Sequence, residues 1–96
     1  MKKQIVFVLV KWGRVQNSET PLMEVVGVYP TKTAAKEKLA EERENIKAFF
    51  AEEYEGENVE EYGENNIENW GIQVDDYPVF QELLITEKEV DYDERV

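Results

Sequence analysis

The chain has 96 residues, 42% of them hydrophobic, and a formal net charge of -11 from 22 acidic and 11 basic side chains. Folding at this length hides roughly 60 to 70% of the surface an unfolded chain exposes, which allows one domain with a modest core and little room for an enclosed active site. Histidine and cysteine are both absent, so disulfides, thiolate nucleophiles, imidazole bases and metal centres built on nitrogen or sulfur ligands are excluded.

Residues 4–12, QIVFVLVKW, are a nearly unbroken β-branched and aromatic run. Such a run predicts a strand buried on both faces and central in its sheet. The apolar part ends at Lys11, too short for a signal-peptide core or a membrane span, and the chain is read as cytoplasmic. The stretch GRVQNSETP interrupts with turn formers, and LMEVVGVY (22–29) returns as a second strand. Together they predict an antiparallel hairpin with a long loop, with Gly27 marking a bulge or a close backbone approach.

Pro30 closes that strand, and Thr31 is placed as N-cap of a long helix, TKTAAKEKLAEERENIKAFFAEEYEG, with Gly56 just past its end. Ala35, Leu39, Ile46, Phe49 and Phe50 share one half of the helical wheel, which should lie on the sheet. Adjacent helical residues point about 100° apart, so one of Phe49 and Phe50 is a candidate partner contact. EEYEGEN (52–58) is then nearly repeated as EEYGEN (60–65). It is read as two helical turns, each closed by a glycine and anchored by Tyr54 or Tyr62.

IENWGIQVDDY (67–77) alternates, with Trp70, Ile72 and Val74 on one side, and predicts a third strand. VFQELLIT (79–86) satisfies both a strand and a short helical stripe and is assigned as a fourth strand. Residues 87–96 read as a frayed, charged tail. The expected fold is a single α+β domain over 1–96, ordered from about residue 4 to residue 86. It has a four-stranded, mainly antiparallel sheet of β-β-α-β-β order, strands arranged 2-1-3-4, with one long helix packed on one face. One helix leaves the second sheet face uncovered, to be covered by a partner chain, a second copy or the C-terminal segment.

Catalytic motifs are missing. Ser18 is the only serine and has no histidine to activate it. Glycines 13 and 27 stand alone rather than in a phosphate loop, and Asp75, Asp76, Asp91, Asp93 and Glu94 do not fall into a calcium-loop pattern. The expectation is a protein with no enzymatic activity, no cofactor and no metal site.

Charge placement is the informative feature. Residues 1–40 carry seven cations against three anions, and the remaining 56 carry four against 19. Residues 49–66, FFAEEYEGENVEEYGENN, hold seven glutamates and no base. Lys32 and Lys36 begin the helix while Glu52, Glu53 and Glu55 end it, the reverse of what the helix dipole favours. Such a field repels nucleic acid and anionic membranes and attracts a basic partner. Carboxylates three or four apart on a helix project from Cβ atoms about 5 to 6 Å apart, while a DNA strand carries a phosphate per roughly 3.4 Å, so a double row of glutamates can stand in for a phosphate backbone.

With EEYEGENVEEYGEN as its charged ridge, the chain from about residue 41 onward resembles the small acidic phage-encoded inhibitors that mimic DNA, among them anti-CRISPR and anti-restriction proteins. The likeness is one of composition and transfers no individual functional residue. In addition, VGVYPTKTAAKEKL (26–39) is similar to small bacterial and phage domains in which a β-hairpin leads into an Ala- and Lys-rich helix. The resemblance implies a host-defence inhibitor docking on a basic, nucleic-acid-binding protein such as a nuclease. The candidate partner-binding residues are Glu41, Glu44, Glu52, Glu53, Glu55, Glu57, Glu60, Glu61 and Glu64, with Tyr54 and Tyr62 as desolvated anchors. The other reading is a small structural or assembly domain, a homodimer through the uncovered sheet face, whose acidity only keeps it soluble.

Overall fold

A computed structural model describes residues 2–14, 22–63, 68–74 and 79–92. The elements are β1 (Lys2–Arg14), β2 (Leu22–Tyr29), α1 (Lys32–Glu53), β3 (Val59–Tyr62), β4 (Asn69–Val74) and β5 (Val79–Tyr92). The class is α+β as expected, with one helix over one face of an antiparallel sheet. That sheet has five strands in the order β2-β1-β5-β4-β3, not four in the order 2-1-3-4.

Register explains the difference in order. β1 pairs with β5 along its whole length, from Lys2↔Tyr92 to Arg14↔Phe80. A six-residue strand such as β4 offers no such partner to a strand of 13 residues. β4 instead pairs with the first part of β5, from Val74↔Val79 to Asn69↔Leu84. Residues 87–92, expected as tail, belong to β5; residues 93–96 lie outside the described residues.

On the other side β1 pairs with β2 from Phe7↔Tyr29 to Gly13↔Leu22, and the register shifts where Leu9 faces Gly27 and Val10 faces Val25. The extra residue is Val26, so the bulge falls beside the glycine that predicted it. The loop 15–21 lies outside the described residues.

The acidic echo also resolves differently. Its first copy does end the helix: Tyr54 is the C-cap, its N–H donating to the Phe50 carbonyl, and Gly56 follows with φ of 87°, a conformation glycine adopts without steric cost. Its second copy is not helical but the edge strand β3, paired Val59↔Val74 through Tyr62↔Gly71. A stretch this short cannot nucleate a new helix on its own, whereas the open edge of β4 offers it backbone hydrogen bonds.

Thr31 caps α1 as predicted, its Oγ1 accepting from the Ala34 N–H at 3.2 Å. Ala35, Leu39, Ile46 and Phe50 of α1 are buried against Leu9, Trp70, Ile72, Val74, Val79, Leu83 and Ile85. These sheet residues are odd-numbered on β1 and β5 and even-numbered on β4, one side of the pleat. Even-numbered residues of β1 and β5 point to the opposite face, which α1 does not reach. The molecule measures 55 × 28 × 17 Å, and 17 Å is the depth of one sheet and one helix layer. Toward its N-terminus β1 outruns β2, and with the end of β5 it extends the sheet as a two-stranded arm.

Gly71 is held by a close approach. A Cβ there would stand 2.2 Å from Tyr62 Cζ, because the Tyr62 ring lies over it. Replacing Gly71 with Ala should displace that ring and destabilise the fold by about 1 to 3 kcal/mol, measured by urea denaturation; an unchanged midpoint would contradict the packing.

Candidate functional site: the acidic end of the helix

Most basic residues of the N-terminal half do not form a separate positive pole. Antiparallel pairing lays the basic start of β1 against the acidic end of β5, with Lys3 Nζ 3.3 Å from Glu89. Lys11 meets Glu24 at 3.6 Å. Lys32, misplaced at the positive end of α1, reaches Glu68 at 2.5 Å. That hydrogen bond and the two opposite charges raise the Lys32 ammonium and lower the Glu68 carboxyl. The contact is exposed, so screening leaves it a weak stabiliser.

Along α1, three further cations are spoken for as well. Lys38 contacts Glu41 at 3.1 Å and Glu42 at 3.8 Å, Arg43 contacts Glu44 at 3.7 Å, and Lys47 contacts Glu61 at 3.7 Å. The hydrogen bond from Lys38 to Glu41 raises the Lys38 ammonium. Beyond Lys47 the helix has no base, and its last turn contains none. Glu52, Glu53, Glu55, Glu57 and Glu60 are exposed and form no ion pair among the described residues. The helix dipole adds its own negative end at the same place.

The expected ridge therefore divides. Glu52, Glu53, Glu55 and Glu57 gather at the C-terminal end of α1 and the turn after it. Glu41 and Glu44 share the solvent stripe, but Ala48 interrupts it and each meets a lysine or arginine. Glu60 and Glu61 point to opposite faces of the sheet: Glu61 turns toward the helix layer and accepts the Trp70 indole N–H at 3.1 Å, a tie within the fold. Glu64 lies outside the described residues.

The two tyrosines differ from the anchors expected of them. Tyr54 is only 7% exposed and belongs to the core, because the helix turns it inward one turn after Phe50. Tyr62 lies on the sheet face away from α1 and donates its hydroxyl to Glu82 Oε1 at 2.5 Å. The exposed aromatic at the acidic end is Phe49, 46% exposed. Its ring stands edge-on to Phe50 and Tyr54, at 5.9 and 6.4 Å between centroids. It flanks the glutamate stripe on the side nearer the core. The 100° argument on adjacent phenylalanines was the available signal for it.

Beside the helix end is a cleft of about 410 Å³. Phe50, Tyr54, Val59 and Ile72 form its apolar floor and Glu55 and Glu57 its acidic rim, while Lys47, paired with Glu61, closes the other side. A floor of this kind suits the methylene stem of a lysine or arginine, with the carboxylates placed to meet the charged head. Among the described residues, no group of acidic side chains is close enough to hold a metal ion, and no helix is long and apolar enough to cross a membrane.

Glu82 was not anticipated. It sits in the middle of the sheet face opposite α1, in a cross-strand row Trp12, Glu82, Gly71, Tyr62. The Trp12 indole N–H donates to its Oε2 at 2.7 Å. A lone carboxylate between apolar Phe80 and Leu84 was the sequence signal. Burial first, and then the bond to Glu82, push the Tyr62 phenol above its ordinary value.

No protein-family model, curated protein or solved structure matches the chain.

Two outcomes follow. The folded chain holds the Tyr62 proton more tightly than the unfolded chain does, so this contribution is fully present below the unfolded phenol value of 10.0 and is lost as pH climbs above it. Urea denaturation at about pH 8 and about pH 11 should show the wild-type advantage over Tyr62→Phe shrinking at the higher pH; an advantage that grows would contradict the assignment. Glu53→Gln should stabilise the fold by about 0.3 to 1 kcal/mol at low salt, since it removes a negative charge from the negative end of the helix. Thermal denaturation at two salt concentrations checks both the gain and its screening.

Proposed function

We propose that the chain is a non-catalytic binding protein that sets its acidic helix end on a basic, nucleic-acid-binding protein and blocks it, its carboxylates standing where nucleic-acid phosphates would. The observation that carries this reading is the imbalance itself. Lys38, Arg43 and Lys47 are each paired within the fold, while Glu52, Glu53, Glu55 and Glu57 are exposed and uncompensated. Such a cluster steers a cationic partner at long range and releases it in salt.

Charge alone gives on-rate more than affinity, and the apolar contribution comes from Phe49 and the cleft floor. The exposed Phe49 ring supplies hydrophobic contact beside the carboxylates. The cleft accepts one long basic side chain. A nuclease or other nucleic-acid-binding protein of a bacterial defence system fits this chemistry, in keeping with the likeness to phage-type inhibitors.

Affinity capture from a bacterial lysate, eluted with about 0.5 M salt, is the test. The captured protein should bind duplex DNA, and adding this chain should release that DNA. Combined substitution of Glu52, Glu53, Glu55 and Glu57 by Gln should weaken capture by about tenfold or more at about 0.1 M salt, and Phe49→Ala should weaken it without changing the salt dependence. Capture that survives the four Gln substitutions would show that the charge is only a solubilising coat.

A further inference from the structure

The sheet face opposite α1 is apolar and uncovered. On β2 it presents Met23, Val25 and Val28, exposed by 74%, 58% and 57%, and β5 adds Leu84 at 40%. Val10 and Trp12 of β1 lie between them. The described charged side chains on this face, Arg14 and Lys88 against Glu60 and Glu82, sum to zero on a chain whose total is -11. A basic partner therefore has no electrostatic reason to settle here, although it has one at the helix end.

We infer that a second copy of the chain covers this face, packed sheet to sheet about a two-fold axis with both helices turned outward. The available area supports it. Five strands at about 4.8 Å spacing and some nine residues at about 3.3 Å give a flat footprint of about 700 Å². A surface studded with side chains exposes more than its flat footprint, which brings it to the roughly 800 Å² per partner of a stable interface.

Charge permits this pairing. Each copy is 17 Å thick, so stacking places the two acidic outer surfaces about two thicknesses apart, several times the Debye length of about 8 Å at physiological salt. Neutral meets neutral at the seam. Glu82 enters it already holding two donors, the Trp12 indole and the Tyr62 hydroxyl, which lowers the cost of covering a carboxylate.

The dimer is independent of the helix-end reading, and the two respond to salt with opposite sign: screening tightens an association between like-charged copies and loosens one with a basic partner. Light scattering at about 100 µM, above the micromolar Kd that even weak standard-size interfaces reach, should give twice the 11.3 kDa monomer mass. Dilution should show the dimer tightening as NaCl rises from about 0.05 to about 0.5 M. Met23→Lys with Val25→Lys, both at positions more than half exposed in one copy, should return the mass to one chain while circular dichroism and capture of the basic partner stay intact. Val28→Lys alone provides the same readout should the double variant fail to fold. A monomer at the higher concentration, a dimer that survives these substitutions, or one that dissociates as salt rises would overturn the inference; the four Gln substitutions at the helix end should leave the dimer in place.

Discussion

The antiparallel pairing of β1 with β5 is the constraint from which the rest of the molecule follows. It zips the start of the chain to its end across 13 residue pairs, Lys2↔Tyr92 through Arg14↔Phe80. With β5 occupying one side of β1 and β2 the other, β4 can only attach outside β5, and β3 outside β4. The single helix, entered directly from β2, then has one sheet face to cover and covers it with Ala35, Leu39, Ile46 and Phe50. The opposite face is left open because the described chain contains no second amphipathic helix.

Electrostatic organisation follows from the same pairing. Along the sequence, charge is split between a basic first part and an acidic remainder; in space, that split is largely folded away. Lys3 lies against Glu89 and Lys32 against Glu68, and among the described residues the densest group of unpaired anions is the one at the end of α1 and the turn after it. The negative end of the helix dipole lies at the same spot, and the fold tolerates this against its own stability. Segregation by layer results: acidic outside the helix, neutral and apolar on the far side of the sheet.

Much of this architecture was legible where one local rule dominates. The hairpin, its bulge beside Gly27, the Thr31 cap and the buried side of β4 each follow from a single pattern of apolar period or turn chemistry. Strand order was not legible, because it depends on which long strand matches which, and the match of β1 with β5 is carried partly by residues 87–92. Their charges conceal the alternation there: Lys88 and Val90 face one way, Glu89 and Asp91 the other. β3 was read as helix because Val59–Tyr62 is too short for either period to show, and the edge of β4 decided the matter. At the candidate site, the glutamates at the helix end were visible as charge. Tyr54 and Phe49 exchanged places because core and surface aromatics one turn apart differ only in helical phase, and Glu82 emerged only once Trp12 and Tyr62 were brought to it from distant strands.

Nuclear Overhauser contacts between cross-strand backbone protons, Cα to Cα at alternate pairs and amide to amide at the pairs between them, would test the β1–β5 zip most directly. The predicted result is a continuous series of cross-strand contacts joining Gln4 with Val90, Leu9 with Ile85 and Trp12 with Glu82. Contacts from β1 to residues 69–74 in their place, or a C-terminal segment with no long-range contacts beyond Thr86, would contradict this account of the fold.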